Sequence, residues 1–133
     1  MVGKWQMDPY AIKPVKTTIS LNQVAASYDL YTGAGQDCAL EGIMIKMPTG
    51  NCGGALTSIS IQTDDATPAV LINSTTGAVG NLTTEAVLSW TGLTHIAVGT
   101  KIQLTIAGGA HGSAYSCKVT ALYRPITNGG KLT

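Results

Sequence analysis

Apolar side chains fall at alternate positions in run after run of this chain, and Gly, Asn and Pro punctuate the gaps. A period of two is the mark of strands with one buried face, because successive side chains of a strand point to opposite sides. Residues 17–22 place Thr17, Ile19 and Leu21 on one face, with Thr18 and Ser20 on the other. A second strand is expected at 27–31, followed by a loop over 32–37 where Gly33 and Gly35 break the pattern. The longest candidate is 38–47, with Leu40, Gly42, Met44 and Lys46 on one side and Glu41, Ile43, Ile45 and Met47 on the other. Apolar residues on both faces predict a central strand, or one covered by a partner. A turn cluster at 48–54 precedes strands expected at 55–64, 69–73 and 84–90. The clearest alternation lies in 100–107, through Ile102, Leu104 and Ile106, and in 114–124, through Tyr115, Cys117, Val119, Ala121 and Tyr123. With Gly108, Gly109 and Gly112 between them, these two runs predict a hairpin.

The two ends depart from this pattern. Residues 1–16 carry Trp5, Met7, Tyr10, Ile12 and Val15, while Pro9 and Pro14 forbid a helix and favour extended chain. So much apolar surface is costly to leave in water, so this arm is expected to lie against its own domain or a neighbouring subunit. Those five side chains are the candidate partner-binding residues. Pro125 ends the last strand, and residues 127–133 read as a flexible polar tail. The organisation expected is an extended N-terminal arm over 1–16, one β-sandwich domain over 17–126 and the tail over 127–133. About eight strands at turn spacings of roughly 8–14 residues predict an all-β, antiparallel sandwich. Several non-hairpin connections point to a jelly roll or a related Greek key.

Composition sharpens this picture. A chain of 133 residues is long enough for one domain with a core of its own. Only 11% of residues are charged, against about 25% in an ordinary globular protein. The formal net charge of +1 argues against nucleic acid or an anionic membrane surface as partner. A surface so poor in charge favours self-association, so a homo-oligomer is expected. No segment approaches the roughly 20 apolar residues of a membrane span. The first 16 residues also lack an apolar run of signal-peptide length, which predicts synthesis in a cytoplasm.

Candidate chemistry is sparse. Cys38, Cys52 and Cys117 show no CxxC spacing and fall beside or within strand-like runs, where buried free thiols are expected; a Cys38–Cys52 bridge is the alternative. His95 and His111 stand in no Ser–His–Asp context, and His111 reads as an exposed loop residue. Asp64-Asp65 could contribute oxygens to a hard cation, but turn chemistry explains the pair as well. Glu41 and Glu85 are the only glutamates, and nothing in the sequence brings them together as a glycosidase pair. The glycine run at 108–112 lacks the lysine and following helix of a phosphate loop. Trp90 reads as a core residue, or else as a sugar platform on a carbohydrate-binding sandwich. No catalytic, cofactor or metal site is expected, and the chain reads as architectural rather than enzymatic.

One resemblance adds to this. The stretch from Ile59 to Pro125 runs through Ser60-Ile61-Gln62-Thr63-Asp64-Asp65, Pro68-Ala69-Val70-Leu71-Ile72 and Val98-Gly99-Thr100-Lys101-Ile102-Gln103-Leu104-Thr105-Ile106-Ala107-Gly108-Gly109 to Ala121-Leu122-Tyr123-Arg124-Pro125. In order and texture it resembles the small β-sandwich virion proteins of tailed bacteriophages, particularly head decoration or cement proteins. The resemblance covers most of the chain. It implies a virion protein on the capsid surface that clamps the major capsid protein, working as a small oligomer, with a trimer favoured. Head-fibre, minor capsid and tail proteins share the same texture. No catalytic residues transfer, because such proteins have none.

Overall fold

The structure, a computed structural model, describes residues 8–133. Nine strands are found among the described residues: β1 (Lys13–Ser20), β2 (Ala26–Gly35), β3 (Cys38–Lys46), β4 (Ser58–Thr63), β5 (Val70–Ile72), β6 (Val87–Ile96), β7 (Lys101–Ala107), β8 (Ser116–Pro125) and β9 (Gly130–Leu132). They form a four-stranded sheet in the order β1-β8-β3-β6 and a five-stranded sheet in the order β5-β4-β7-β2-β9. Each strand pairing is antiparallel. Except between β4 and β5, each strand lies in the opposite sheet from the one before it. This interleaving of two Greek keys makes a jelly-roll sandwich, one of the two related topologies that the non-hairpin connections suggest.

The expected hairpin between the last two long runs does not form. β7 pairs with β4 and β2, whereas β8 pairs with β1 and β3. Both strands alternate as read, and Ile102, Leu104, Ile106, Cys117, Val119 and Ala121 are all buried. Their apolar faces meet across the core instead of lying side by side, and period-two alternation is identical in the two cases. The connection is held by backbone bonds from Ala55 N–H to the Ala110 carbonyl and from His111 N–H to the Leu21 carbonyl.

Both ends of the sandwich extend further than the sequence pattern indicates. β1 begins at Lys13, within the stretch read as an arm, and pairs with β8 from Lys13↔Tyr123 to Ser20↔Ser116. Val15 continues the inward row of Thr17 and Ile19, and Pro14 is tolerated because an edge strand leaves N–H groups without ladder partners. At the other end, residues 130–132 are not a loose tail. Gly130 and Leu132 are buried as β9 pairs with Gly33–Gly35 of β2. Thr32 and Thr133 exchange backbone bonds of 2.9 and 3.0 Å. Residues 32–35, read as a loop, are strand. A side chain at Gly33 would collide with the Ala97 carbonyl, so this glycine marks a close approach of two backbones rather than a turn.

The two-sided apolar character of β3 has a local cause. The register shifts between Leu40 and Gly42 against both neighbours, β8 and β6. This bulge turns Leu40 inward on the same side as Ile43, Ile45 and Met47, and leaves Met44 and Lys46 outward. β3 is central, and its inner face is continuous with the core.

Polar groups in the core are satisfied. Thr63, fully buried, accepts a 2.9 Å bond from Ala69 N–H through its hydroxyl. Tyr31 on β2 donates its phenol hydrogen across the core to the Val119 carbonyl of β8 at 2.9 Å, tying the two sheets together.

Candidate functional site

Of the five anchors expected in the arm, Trp5 and Met7 lie outside the described residues. The other three have distinct environments. Asp8 and Pro9 open a turn rather than an extended segment. Ala11 N–H bonds the Asp8 carbonyl at 3.2 Å, and Tyr10 N–H bonds Asp8 Oδ1 at 2.8 Å. Asp followed by Pro suits the first two positions of such a turn, since proline presets the backbone angle needed there. Arg124 then clasps the turn through Nη1 to the Tyr10 carbonyl at 3.2 Å, while its Nε binds Glu41 Oε2 at 2.8 Å. Tyr10 and Ile12 are exposed, and Val15 packs against the core.

The outward faces of the two sheets differ in kind. On the five-stranded sheet, Ser58, Ser60, Gln62, Gln103 and Thr105 point outward, and the polar groups bind one another. Ser27 and Thr105 share a 2.7 Å bond, and Asp29 holds both Gln103 at 2.8 Å and Lys101 at 3.1 Å. On the four-stranded sheet the Arg124–Glu41 pair lies at one end, and the outward rows beyond it form no side-chain bonds among the described residues. These rows are Pro14, Leu122, Gly42 and Thr91; Lys16, Thr120, Met44 and Ser89; and Thr18, Lys118, Lys46 and Val87. Leu122 and Met44 are 40% and 43% exposed. With Gly42, Ser89, Thr91 and Thr120 they rim a shallow apolar hollow of about 210 Å³ over Trp90. Gly42 forms its floor; a Cβ there would meet nothing closer than 3.5 Å.

Beside the hollow stand Lys16, Lys46 and Lys118. Lys46 and Lys118 are direct cross-strand partners, an arrangement of like charges that destabilises a sheet unless something opposes it. None of the three is in an ion pair among the described residues. Apart from Trp90, none of the hollow's residues stands out by type in the sequence. Only cross-strand register and the β3 bulge bring them together.

The remaining candidates serve the fold. His95 Nε2 lies 2.9 Å from Asp37 Oδ2, and Asp37 Oδ1 accepts Val98 N–H at 3.3 Å, closing the turn between β6 and β7. His111 is not a free loop residue. Its Nδ1 accepts Gly53 N–H at 2.9 Å, and its ring packs on Tyr115 with centroids 4.5 Å apart. Asp64 Oδ1 accepts Lys101 N–H at 2.8 Å, and Asp65 accepts the Thr100 hydroxyl at 3.4 Å, which is the turn chemistry weighed against a cation site. No group of three or more His, Cys, Asp or Glu side chains gathers among the described residues. All three cysteines are free and buried. Burial pushes the Cys38 thiol up to about 11 and that of Cys117 up to about 12, far from the thiolate a nucleophile needs at neutral pH. Trp90 is half-buried and packs on the core, the position preferred over a sugar platform.

No family model matches this chain, and no curated protein matches it. Solved structures do. The chain is similar to one in the acid-stable capsid structure of Helicobacter pylori bacteriophage KHP30, with a TM-score of 0.62 and 11% identity over 93% of this chain and 94% of that one. It is also similar to a chain of the cyanophage Pam1 capsid asymmetric unit, at 0.59 and 15% over 86% and 85%. A third match, in the capsid of Ralstonia phage GP4, has a TM-score of 0.54 and 14% identity over 88% and 86%. What they share is the fold. In each case the match runs through most of both chains, so the shared unit is the whole sandwich.

Proposed function

We propose that this chain is a non-enzymatic structural protein of a bacteriophage virion. It binds the outer surface of the head against the major capsid protein and stabilises the shell as a decoration protein. The observation that carries this reading is the near end-to-end likeness to a chain in the KHP30 capsid structure, 93% of one and 94% of the other. A chain of matching extent and fold occurring within a capsid supports a compact virion subunit. The texture of the sequence supports the same reading independently, as does the outer face of the four-stranded sheet. Exposed Leu122 and Met44 beside lysines that form no ion pair among the described residues are better suited to protein contact than to open water. The residues of the arm, Trp5, Met7, Tyr10 and Ile12, supply further anchoring area, and the working unit is a small homo-oligomer, with three copies favoured.

Immunogold labelling tests the proposal. Antiserum raised against the purified chain should label the heads of virions grown from a genome that carries this sequence. Label confined to tails, or absent from particles, overturns the assignment to the head surface.

A further inference from the structure

We infer that copies of this chain bind one another head to tail, the lysine-bordered hollow of one copy receiving the acidic turn pair at the far end of the next. This deepens the oligomer part of the function proposed above by naming the two surfaces, and it requires no capsid. The first surface is the hollow over Trp90, with Lys16, Lys46 and Lys118 beside it. Glu85 stands at the margin of the lysine cluster without pairing to it. The second surface lies at the opposite end of the strands, where the β4–β5 and β6–β7 turns meet. Val98, 54% exposed, forms its tip. Asp37 binds the Val98 N–H on one side, its other oxygen on His95, and Asp65 reaches Thr100 on the other, so the apolar tip is flanked by carboxylates. Exposed Asp64 adjoins them.

The two surfaces complement each other in shape and in sign. One presents an apolar hollow beside three cations, and the other an apolar knob beside the carboxylates of Asp64 and Asp65. Because they are different patches, the contact is heterologous, and it closes into a ring where the rotation between copies allows. It also resolves the opposed pair Lys46 and Lys118, whose mutual repulsion the incoming carboxylates offset. Flanking charges give such a contact its register and its salt dependence more than its strength, which comes from the apolar centre.

The experiment is sedimentation velocity on the full chain at low and high salt, with far-UV circular dichroism as the check on folding. The wild-type chain should sediment as a discrete oligomer whose association weakens with salt. Lys46→Glu with Lys118→Glu, or Asp65→Lys, should each weaken association by about tenfold or more, the scale of a coupled interfacial charge pair. The combined variant, in which both signs are reversed, should recover most of the loss. Gly42→Phe fills the hollow without touching a charge, and it should also reduce association. Three outcomes overturn the inference: a wild-type chain that stays monomeric at micromolar concentration, an oligomer indifferent to both charge reversals, or a combined variant no better than the worse of its parents. An indifferent oligomer removes only these surfaces. Since no capsid enters the measurement, none of these results bears on head labelling, and the virion reading stands or falls separately.

Discussion

Tyr31 shows how a single side chain couples the two layers of the sandwich. Its ring is buried on β2, its hydroxyl donates to the Val119 carbonyl on β8, and burial pushes the phenol up to about 12. Tyr31→Phe keeps the ring and removes the inter-sheet bond, so it should cost about 1 kcal/mol in urea unfolding. A loss within error would mean that the bond contributes nothing net. The thiols make a second prediction. Cys38 and Cys117 are raised from an ordinary 9.0 to about 11 and about 12 by burial. Between those values the unfolded chain has lost protons that the folded chain still holds, so the slope of unfolding free energy with pH is negative there. Stability should therefore be flat through neutral pH and fall as pH rises from about 9 towards 12, measured as the urea midpoint across that range. At neutral pH a thiol reagent should modify the native protein only as fast as it opens. The burial of the cysteines was legible in the sequence from their places in strand-like runs. The role of His111 was not, because a histidine in a glycine-rich turn looks the same whether or not a distant N–H, here that of Gly53, reaches its ring.

At the level of elements, alternation identifies the inward residues and says little about pairing. Ile59, Ile61, Ile102, Leu104 and Ile106 read correctly as one face each of β4 and β7. The same alternation gave a false hairpin for β7 and β8, since side-by-side and face-to-face strands need identical patterns. The β3 bulge hid the candidate surface in the same way. Strict period two grouped Leu40 with Met44, whereas the register shift after Leu40 sends them to opposite sides. An extra residue on one strand is invisible without its neighbours, so the hollow around Gly42 could not be read from the chain alone. β9 shows the converse limit, where three residues are too few to display a period. It is nonetheless part of the core, because Leu132 is buried and Gly130 packs against the Asp37 carbonyl. Leu132→Ala should lower stability by about 2–4 kcal/mol, the usual effect of emptying a leucine site in a packed core. Equilibrium urea denaturation at unchanged m-value checks it, and a loss below about 0.5 kcal/mol would show β9 to be peripheral.

For the whole molecule, the jelly roll separates stability from contact. Its stability lies in the core between the sheets, and the contact surfaces we propose lie on the outer face of one sheet, at the far turns and at the N-terminal end. The structure redraws where the arm can be cut. Residues 13–16 belong to β1, with Val15 facing inward opposite Ala121, so a truncation through residue 16 would remove half of an edge strand and expose β8. A cut after residue 12 leaves the sheet whole. It removes Tyr10 and Ile12 together with Trp5 and Met7, and it frees Arg124 to keep Glu41 as its remaining partner. Burying two or three such side chains against a partner stabilises a complex by several kcal/mol at about 25 cal/mol per Å². The gain should be concentrated at Trp5 and Tyr10, since interfaces draw most of their energy from a few large aromatic anchors. Deleting residues 1–12 should leave the β circular dichroism spectrum and a cooperative urea transition in place. It should also weaken association with itself or with purified capsids by about tenfold or more, a loss of roughly 1.4 kcal/mol or more. Trp5→Ala in the full chain should reproduce a large part of that loss. Full binding by both variants would show that the N-terminal residues anchor nothing, and that the sheet face and the far turns account for the contacts by themselves.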